Sequence, residues 1–365
     1  MKIFELHYST APAGAERVVI DLTNELVLNN DVTLCIIKDD SNPFNAYYLK
    51  EVSPKVKYIN LKCKTGLGIK SLWRIYKTIK KEKPQIVHTH GDAITLFLPS
   101  LLIKSCKYFH TLHSLADKYI RGKEKLIFLY RWFYRHKITA ITISEECQKS
   151  FIKLYDLHNS IKIENGRASL KKTNQYEDVK KEIEKLKLHN DDKVFIHVAR
   201  FSEAKNQRLL FDAFNKFLNK KNHAILLLIG AGYDNNEAKT LLAEASKGIY
   251  WLGTKNNICD YLLNSDFFIL SSLWEGLPIS LLEAMSCGVV PICTPAGGIP
   301  NIITSNRLGY LSKDFSLDNF ETIINNAYLH SESFDRKYII TIFNEKYSIK
   351  HCAKLYLTTF KNQLL

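Results

Sequence analysis

The stretch LSSLWEGLPISLLEAMSCGVVPI at residues 270–292 decides the fold of the second half of the chain. The run FFILSS at 267–272 is short, continuous and apolar, which is typical of a buried strand. The run ISLLEAMSC at 279–287 predicts a helix, with Pro278 in its first turn and Gly288 as its terminator. This segment therefore reads as a strand, a loop and a helix, the unit from which α/β domains are built.

Two glutamates in this unit are eight positions apart, Glu275 on the loop and Glu283 on the helix about two turns later. Between them, Gly276, Leu277 and Pro278 lie where free N–H groups and the positive end of a helix favour an anion. Two carboxylates that accept hydrogen bonds from hydroxyl groups, on either side of a phosphate-binding loop, suit a nucleotide-sugar. The alternative is an ordinary strand–loop–helix with solvated glutamates.

The segments S-x-x-E-G-L-P and E-A-M-S-C-G around these residues resemble the E-x7-E signature of retaining glycosyltransferases with the GT-B fold (glycosyltransferase family 4, glycosyl transferases group 1). The resemblance implies an α/β architecture of two Rossmann-like, doubly wound parallel-sheet domains facing a central cleft. It also implies that Glu275 contacts the donor sugar, that Glu283 contacts the ribose hydroxyls, and that Gly276, Leu277 and Pro278 belong to the donor site.

Composition is consistent with a soluble two-domain protein. The chain has 365 residues, of which 46% are hydrophobic and 24% charged, and this length exceeds a comfortable single core. Its eight cysteines form no C-x-x-C pair, so we expect reduced, mostly buried thiols in a cytoplasmic protein. The N-terminus reads as a strand and a small-residue loop rather than a signal peptide, and no apolar run reaches eighteen residues.

Positive charge is concentrated in the first half of the chain. The formal net charge is +14, and residues 1–166 hold 26 Lys and Arg against 16 Asp and Glu. This predicts an anionic partner, either a membrane surface or an anionic acceptor. Nucleic acid is a competing explanation, but no helix-turn-helix or stacking platform is evident.

Two helical stretches in this half mix aromatic and basic side chains, IKSLWRIYKTIKKEK at 69–83 and EKLIFLYRWFYRHK at 124–137. They favour peripheral contact with anionic headgroups or with a lipid-diphosphate-linked acceptor. The alternative is a pair of ordinary helices with their aromatic side chains packed inward.

Alternation of apolar runs and helical stretches predicts βαβ units in both halves. A polar, Lys/Glu-rich stretch follows Arg167, and we place the interdomain linker near its start. The expected domains are residues 1–168, which would bind the acceptor, and 169–345, which would bind the nucleotide-sugar. The stretch 344–363 predicts a last helix, and the resemblance implies that residues from about 346 to 365 pack back on the first domain.

Two cations follow the strand KVFIHV of the second half. Arg200 lies just after it, and Lys205 lies five residues on, before an amphipathic helix. An Arg fork with a Lys point charge suits a diphosphate leaving group, although both could be unpartnered surface cations. The pair resembles the family's R-(x)4-K clamp, with Ala199 and Asn206 where glycines are usual.

Glycine turns follow other strands. Gly230 and Gly232 do not form a full G-x-G-x-x-G and could simply make a tight turn, but the resemblance places this turn in the nucleotide pocket. It also places Gly253 and Thr254 where the backbone reads the base. In the first half, the loop PAGAE at 12–16 lets a diphosphate approach the backbone, and it resembles the family's G-G-x-E loop with Gly14 kept.

Four histidines cluster near the ends of two predicted strands: His88, His90, His110 and His113. Histidine is the commonest metal ligand, but no carboxylate apart from Asp92 stands at a useful spacing and no D-x-D motif occurs. We therefore expect no metal and no cofactor.

Three further assignments come from the resemblance alone. His113 matches the active-site histidine that hydrogen-bonds the donor hexose and steadies the transition state. Ser144 and the Asn165–Gly166 pair match a small polar residue and an interdomain turn of the family.

The resemblance implies a metal-independent retaining glycosyltransferase that moves a hexose-type sugar from a nucleotide-sugar to a glycan or lipid-linked acceptor in bacterial surface polysaccharide synthesis. The nucleotide in such families is most often UDP, with GDP the other option. The implied catalytic residues are His113, Arg200, Lys205 and Glu275, and the implied location is cytoplasmic, with the inner face of the membrane as a peripheral site.

Two alternatives stay open at this point. One is a non-hydrolysing sugar-nucleotide epimerase of the same fold, which would act on a soluble nucleotide-sugar and has no need of membrane-facing helices. The other is a non-catalytic relative, because Ala13, Ala199 and Asn206 depart from the usual pattern.

Overall fold

The computed structural model describes residues 1–64 and 68–365. The chain divides into two compact units, Met1–Ala168 with Lys346–Leu365, and Ser169–Glu345. Each unit is built on one parallel sheet with helices against it, which confirms the predicted α/β class.

The strands and helices of residues 1–168 alternate along the chain. The strands are β1 Lys2–His7, β2 Asp31–Lys38, β3 Lys57–Cys63, β4 Ile86–Thr89, β5 Lys107–Leu112, β6 Ile138–Thr142 and β7 Ile161–Lys162. The helices are α1 Gly14–Leu26, α2 Ile69–Glu82, α3 Ile94–Leu102, α4 Ala116–Ile120, α5 Ile127–His136 and α6 Glu145–Tyr155.

Residues 169–345 repeat the alternation. The strands are β8 Lys193–Val198, β9 Ala224–Ile229, β10 Ile249–Trp251, β11 Phe267–Leu270, β12 Val290–Cys293 and β13 Tyr310–Leu311. The helices are α7 Tyr176–Leu186, α8 Gln207–Leu218, α9 Asn236–Ala243, α10 Ile258–Leu263, α11 Ile279–Ser286, α12 Ile299–Ile302, α13 Leu317–Leu329 and α14 Arg336–Ile342. The last helix is α15, Ile349–Leu364.

Both sheets reverse their strand order once. The first has the order β3-β2-β1-β4-β5-β6-β7, and the second β10-β9-β8-β11-β12-β13. The order reverses between β1 and β4 in the first sheet and between β8 and β11 in the second. In open parallel sheets, the carboxyl ends of the strands at such a reversal flank a crevice, so each unit has one preferred place for a ligand.

The first sheet is covered on both faces. One apolar cluster joins it to α2, α3, α5 and α6, with Ile75, Phe97 and Phe133 among its members. The other joins it to α1 and α15, where Tyr356 and Phe360 are buried. Residues of both clusters alternate along β1, since successive side chains of a strand point to opposite faces.

Helix α15 begins five residues later than the predicted start at 344. Residues Phe343–Tyr347 form a π-helical turn instead, and the hydroxyl of Ser348 accepts a hydrogen bond from the N–H of His351 (3.3 Å). A serine in this position caps a helix N-terminus, which sets the start of α15 at Ile349.

Two further details were not predicted. The Lys/Glu-rich stretch whose start was assigned to the linker contains α7 farther along, because Val179 and Ile183 lie on one helical face and are buried. Pro278 is the N-cap of α11 rather than part of its first turn, with an extended ψ of 121°.

Candidate active site

The predicted phosphate cations follow β8, and the predicted sugar-binding glutamate follows its neighbour β11. Arg200 lies two residues after β8, and Lys205 ends a short 3₁₀ turn, Glu203–Lys205, in front of α8. Glu275 lies in the loop between β11 and α11. Since β8 and β11 flank the reversal in strand order, the sheet brings these segments to one crevice.

Lys205 and Glu275 are in direct contact. The Lys205 Nζ lies 2.5 Å from Glu275 Oε1, and the Ser272 hydroxyl donates to the same oxygen at 2.6 Å. The lysine side chain is 22% exposed and the glutamate side chain 11%. The loops that carry them are tied by a backbone bond from Leu273 N–H to Ala204 O (2.8 Å). This arrangement holds a cation at a fixed place that is still open to a ligand.

Arg200 has a fixed backbone and an available guanidinium. Its carbonyl accepts a hydrogen bond from Gln207 Nε2 (3.0 Å), and the next N–H, of Phe201, donates to Ala231 O (2.8 Å). The residue is exposed. Within residues 1–64 and 68–365 its guanidinium makes no ion pair, so the positive charge is available to an anion.

Two glycines let the loops of this crevice approach each other. Gly230 has φ +154°, and a Cβ there would lie 2.0 Å from Ala199 O, next to Arg200. Gly297 has φ +56°, and a Cβ there would lie 1.9 Å from Glu275 O. Sequence reasoning identified Gly230 but missed Gly297, although the pair Gly297–Gly298 after a buried strand is a turn signal.

The loop before α11 leaves backbone donors open. The N-cap Pro278 makes no side-chain capping bond. In the described chain, the N–H groups of Gly276 and Leu277 also make no hydrogen bond to protein atoms. Such groups at a helix N-terminus bind anions. Glu283 is half-buried on the same helix, about one turn on from the loop.

The turns after β9 and β10 are joined to each other. Gly230 N–H donates to Gly253 O (2.9 Å), and the indole N–H of Trp251 donates to Gly230 O (3.0 Å). The indole also stacks on buried Tyr233, with ring centroids 5.6 Å apart. Gly232, with φ +88°, continues the first turn. Thr254, next to Gly253, is exposed.

In the first unit, Gly14 is the first residue of α1, beyond the end of β1. The N-cap Ala13 provides no side-chain bond, and residues 12–14 are exposed. Among the described residues, the first N–H groups of this helix have no backbone partner, and they lie on a small-residue loop after the strand that borders the reversal of the first sheet.

The histidines surround a glutamate that sequence analysis missed. Glu5 of β1 is in register with His88 of β4 and is fully buried. Its Oε2 lies 3.0 Å from His88 Nδ1 and 3.0 Å from His90 Nε2. The expectation that only Asp92 could accompany these histidines is therefore wrong. Asp92 instead pairs with Lys123 and Tyr130.

His113 follows β5 and reaches this cluster. Its Nε2 lies 2.9 Å from His90 Nδ1, and its backbone N–H donates to Tyr119 Oη (2.8 Å). Burial, followed by repulsion from His90 and other histidines, lowers the pKa of His113 well below its ordinary value. His113 is therefore neutral near pH 7. His110 is bound elsewhere, to Tyr134 Oη (2.7 Å) and Gly91 O (2.8 Å).

Two groups in the described chain have metal-ligating atoms close together: Glu5 with His88 and His90, and Asp191 with Asp192 and His223. In the first group, each ring nitrogen already has a hydrogen-bond partner. In the second, Asp191 pairs with His223 (2.9 Å) and Asp192 Oδ2 accepts from the N–H of Leu188 (2.6 Å). The buried Asp192 Oδ1 has no partner among the described residues, so protein contacts account fully for the ring nitrogens of the first group but not for the second group.

Other predicted positions have a clear structural explanation. Ser144 is buried and caps α6, its hydroxyl accepting from the N–H of Cys147 (3.2 Å). Gly166 lies where a Cβ would be 2.5 Å from the Cβ of Cys352, so it allows the close approach of α15. All eight cysteines are free and buried.

In the basic–aromatic helices, some aromatic side chains pack inward and others are exposed, so each of the two predicted alternatives holds for part of them. In α5, Tyr130, Phe133 and Tyr134 pack into the core, whereas Phe128 is 80% and Trp132 38% exposed. In α2, exposed Trp73 is followed one turn later by Lys77, whose Nζ lies 5.7 Å from the indole centroid. No helix in the described part of the chain is long and apolar enough to cross a bilayer.

The two doubly wound parallel-sheet domains have the GT-B fold of solved glycosyltransferase structures. Residues 12–166 match Glycosyltransferase Family 4, and residues 178–340 match Glycosyl transferases group 1. The chain belongs to this glycosyltransferase family, as its E-x7-E segment indicated.

The chain is similar to proteins named as glycosyltransferases. An uncharacterised glycosyltransferase of Methanocaldococcus jannaschii is 27% identical over 76% of this chain and 71% of its own length. The UDP-Gal:alpha-D-GlcNAc-diphosphoundecaprenol alpha-1,3-galactosyltransferase of Escherichia coli is 27% identical over 88% of this chain and 86% of its own. A crystal structure of Anabaena HepE with UDP and glucose has a TM-score of 0.80 at 17% identity, covering 99% of this chain and all of the other.

Proposed function

We propose that this glycosyltransferase is retaining and independent of divalent ions, and that it moves a hexose-type sugar from UDP to a glycan or lipid-linked acceptor in bacterial surface polysaccharide synthesis. The observation that carries the proposal is the fixed Lys205–Glu275 contact beside Arg200 and the open amides of Gly276 and Leu277. A diphosphate and the sugar attached to it need this combination of charges and donors. The UDP complex of HepE and the galactosyltransferase of Escherichia coli support the choice of donor and acceptor.

In the proposed reaction, the bond between the sugar C1 and the diphosphate oxygen breaks, and its electron pair goes to that oxygen. Arg200, Lys205 and the amides before α11 stabilise the negative charge. The acceptor oxygen attacks C1 from the same face, and its proton passes to the departing phosphate oxygen. Charge stabilisation by fixed side chains supplies what a divalent ion supplies elsewhere. We therefore expect EDTA to leave the rate unchanged.

The remaining predicted residues have roles in donor binding. Glu275 and neutral His113 would contact sugar hydroxyls, and Glu283 the ribose. The turns at Gly230, Gly232, Gly253 and Thr254 would line the nucleotide, and the loop at Gly14 would approach the diphosphate.

Binding can be tested with a panel of UDP- and GDP-sugars by thermal unfolding. A ligand at a hundred times its Kd stabilises the folded state by about 2.7 kcal/mol. The true donor should raise the melting temperature of the wild type but not of Glu283→Ala. The matched control is Glu244→Ala, at an exposed position after α9. An unchanged shift in Glu283→Ala would exclude the ribose role.

Product analysis separates the proposal from its alternatives. With an undecaprenyl-diphosphate-linked sugar as acceptor, we expect a new glycosidic bond with the anomeric configuration of the donor, measured by NMR. A changed free nucleotide-sugar would indicate the epimerase, and inversion at C1 would contradict the retaining mechanism. Donor binding with no product from any acceptor would favour a non-catalytic relative.

We also propose that the first unit contacts anionic lipid. The ends of α3 and α5 and the starts of β5 and β6 line a pocket of about 520 Å³ that contains Lys104, Lys107, Arg135 and Lys137. Among the described residues, no acidic side chain lines it. Exposed apolar side chains lie within one turn of these cations along the chain: Leu101, Leu102 and Trp132. Apolar side chains beside clustered cations suit an anionic bilayer surface.

Vesicle sedimentation tests the lipid contact. Each basic side chain near an anionic surface contributes about 1 kcal/mol, so Lys104→Glu with Lys137→Glu should weaken binding to phosphatidylglycerol vesicles by about thirtyfold or more. The matched control reverses Lys239 and Lys247, which are exposed in the second unit. Equal weakening by both pairs would contradict a specific surface, and equal affinity for random DNA would revive the nucleic-acid alternative.

A further inference from the structure

In the buried cluster around Glu5, the donor and the acceptor of each hydrogen bond can be assigned. Glu5 receives contacts from His88 and His90 on the same oxygen, both at 3.0 Å. An ionised carboxylate only accepts, so both ring nitrogens must carry their protons. Burial opposes the charge on Glu5, but attraction to His88 and hydrogen bonds from both histidines outweigh it and lower the pKa of Glu5 to about 2. The carboxylate is therefore ionised at neutral pH.

The next link is His90, which is fully buried. Its Nε2 donates to Glu5, and burial together with the neighbouring His88 lowers the pKa of His90 to about 3. A neutral imidazole has one N–H and one acceptor nitrogen. Since the proton is on Nε2, His90 Nδ1 is an acceptor, and it lies 2.9 Å from His113 Nε2.

His113 must then donate from Nε2. A neutral His113 with its proton on Nε2 has a bare lone pair on Nδ1, and this atom is buried with no partner among the described residues. A buried acceptor without a donor is unfavourable, so this nitrogen is available to a hydroxyl group of a ligand.

We propose that Glu5 is a positioning residue that acts through His90 to fix His113 as the Nε2–H tautomer, so that His113 Nδ1 accepts a hydrogen bond from a hydroxyl of the donor sugar. The tautomer follows from contacts within the first unit alone. The sugar contact rests on the proposed function. The tautomer matters because the opposite one would place an N–H donor where the hydroxyl proton must go.

The second arm of the cluster leads away from His113 and provides a control. His88 Nε2 lies 2.8 Å from Thr111 Oγ1, which lies 2.9 Å from Tyr356 Oη on α15. Thr111→Val removes this arm with little change in volume. It leaves the contacts from Glu5 to His90 and from His90 to His113 in place.

The test is the long-range ¹H–¹⁵N correlation spectrum of the full chain labelled with [¹⁵N]histidine, with the His113 signals assigned by their loss in His113→Gln. We expect wild type and Thr111→Val to show the Nε2–H tautomer at His113. In Glu5→Gln, the glutamine amide can donate to His90 Nε2. His90 would then donate from Nδ1 to His113 Nε2, so the Nδ1–H tautomer of His113 should become populated.

An Nδ1–H tautomer in the wild type, or an unchanged His113 spectrum in folded Glu5→Gln, would overturn the proposal. If Glu5→Gln does not fold, His90→Asn replaces it, because the proposed effect passes through His90 and its loss should also release the tautomer.

Kinetics test the sugar contact separately. Loss of one neutral hydrogen bond should lower kcat/KM for the UDP-sugar about tenfold in Glu5→Gln, with the Kd of UDP alone unchanged. An equal loss of UDP affinity would point to a general structural defect. If no UDP-sugar binds the wild type, the proposed function fails, whereas the tautomer measurement still stands.

Discussion

Lys205 is the residue in the second unit whose removal most directly tests charge stabilisation. Its ammonium contacts Glu275 and is the fixed cation at the strand reversal. We expect Lys205→Ala to lower kcat about a hundred- to a thousandfold, the usual effect of removing one group that stabilises developing negative charge. Single-turnover assays with UDP-sugar measure it.

The matched control for Lys205→Ala is Arg208→Ala, an exposed cation in the first turn of α8. It should leave kcat unchanged. A Lys205→Ala enzyme within threefold of the wild type would show that this ammonium does not act on the leaving group.

Gly230 determines how closely the turn after β9 approaches the residue before Arg200. A Cβ at this position would lie 2.0 Å from Ala199 O, and backbone must move to accept it. We expect Gly230→Ala to lower the free energy of unfolding by more than about 3 kcal/mol and to weaken nucleotide binding. Urea unfolding and calorimetric titration measure the two effects.

Gly122→Ala separates backbone strain from steric clash. Gly122 also has a positive φ (+79°), but a Cβ there meets nothing within 4 Å. Its substitution should therefore lower the free energy of unfolding by only about 1 to 2 kcal/mol. Similar losses in both variants would mean that close approach at Gly230 is unimportant.

At the scale of single residues, the sequence predicted what is local and missed what is distant. Glu275, Glu283 and the loop between them lie in one strand–loop–helix unit, which local sequence patterns predicted because its parts are contiguous along the chain. Glu5 lies 83 residues from His88, and only the register between β1 and β4 brings them together. The Gly297–Gly298 pair signals a turn after β12, but no local pattern specifies that this turn approaches Glu275.

At the scale of secondary-structure elements, α15 is an integral part of the first unit. Phe360 is fully buried, and its ring centroid lies 4.7 Å from that of Phe109 in β5. We expect Phe360→Ala to lower the free energy of unfolding by about 3 to 5 kcal/mol, as for other buried aromatic residues. Hydrogen exchange of β1 and β5 should report the loss.

Leu355, on the exposed side of α15, is the control for Phe360. Leu355→Ala should change stability by less than about 1 kcal/mol. If both variants are equally stable, the helix contributes little to the core of the first unit.

Helices and strands could be predicted where apolar residues recur at a clear spacing. The residues at which they begin and end could not. The last helix was expected from 344, but the cap at Ser348 sets its start at Ile349. No helix was predicted in the Lys/Glu-rich stretch after the linker, yet α7 forms there, because two apolar residues, Val179 and Ile183, are enough to hold it to its unit.

At the scale of the whole molecule, buried histidines make stability depend on pH. Burial, aided by His88, lowers the pKa of His90 to about 3, and burial lowers those of His110 and His197 to about 4. In the unfolded chain these groups titrate near 6.5. Between these values the unfolded state binds more protons, so stability is complete above about pH 6.5 and falls on acidification.

We therefore expect the free energy of unfolding to decrease from pH 7.5 to pH 5 by about 2 kcal/mol for each such histidine, since pH 5 lies about 1.5 units below the unfolded pKa. Below about pH 4.5 the low pKa of Glu5 adds to the loss. Urea midpoints across this range measure the effect. A flat or rising profile would show that these histidines are charged in the folded protein.

The first unit is discontinuous in sequence, and this determines which of the two units can finish folding first during translation. Residues 169–345 form one continuous segment, whereas the core around β1 also needs Tyr356 and Phe360. During translation, the second unit can finish folding while the first still lacks a helix. Until α15 emerges, the nascent first sheet exposes an apolar face, which chaperones that bind such surfaces would recognise.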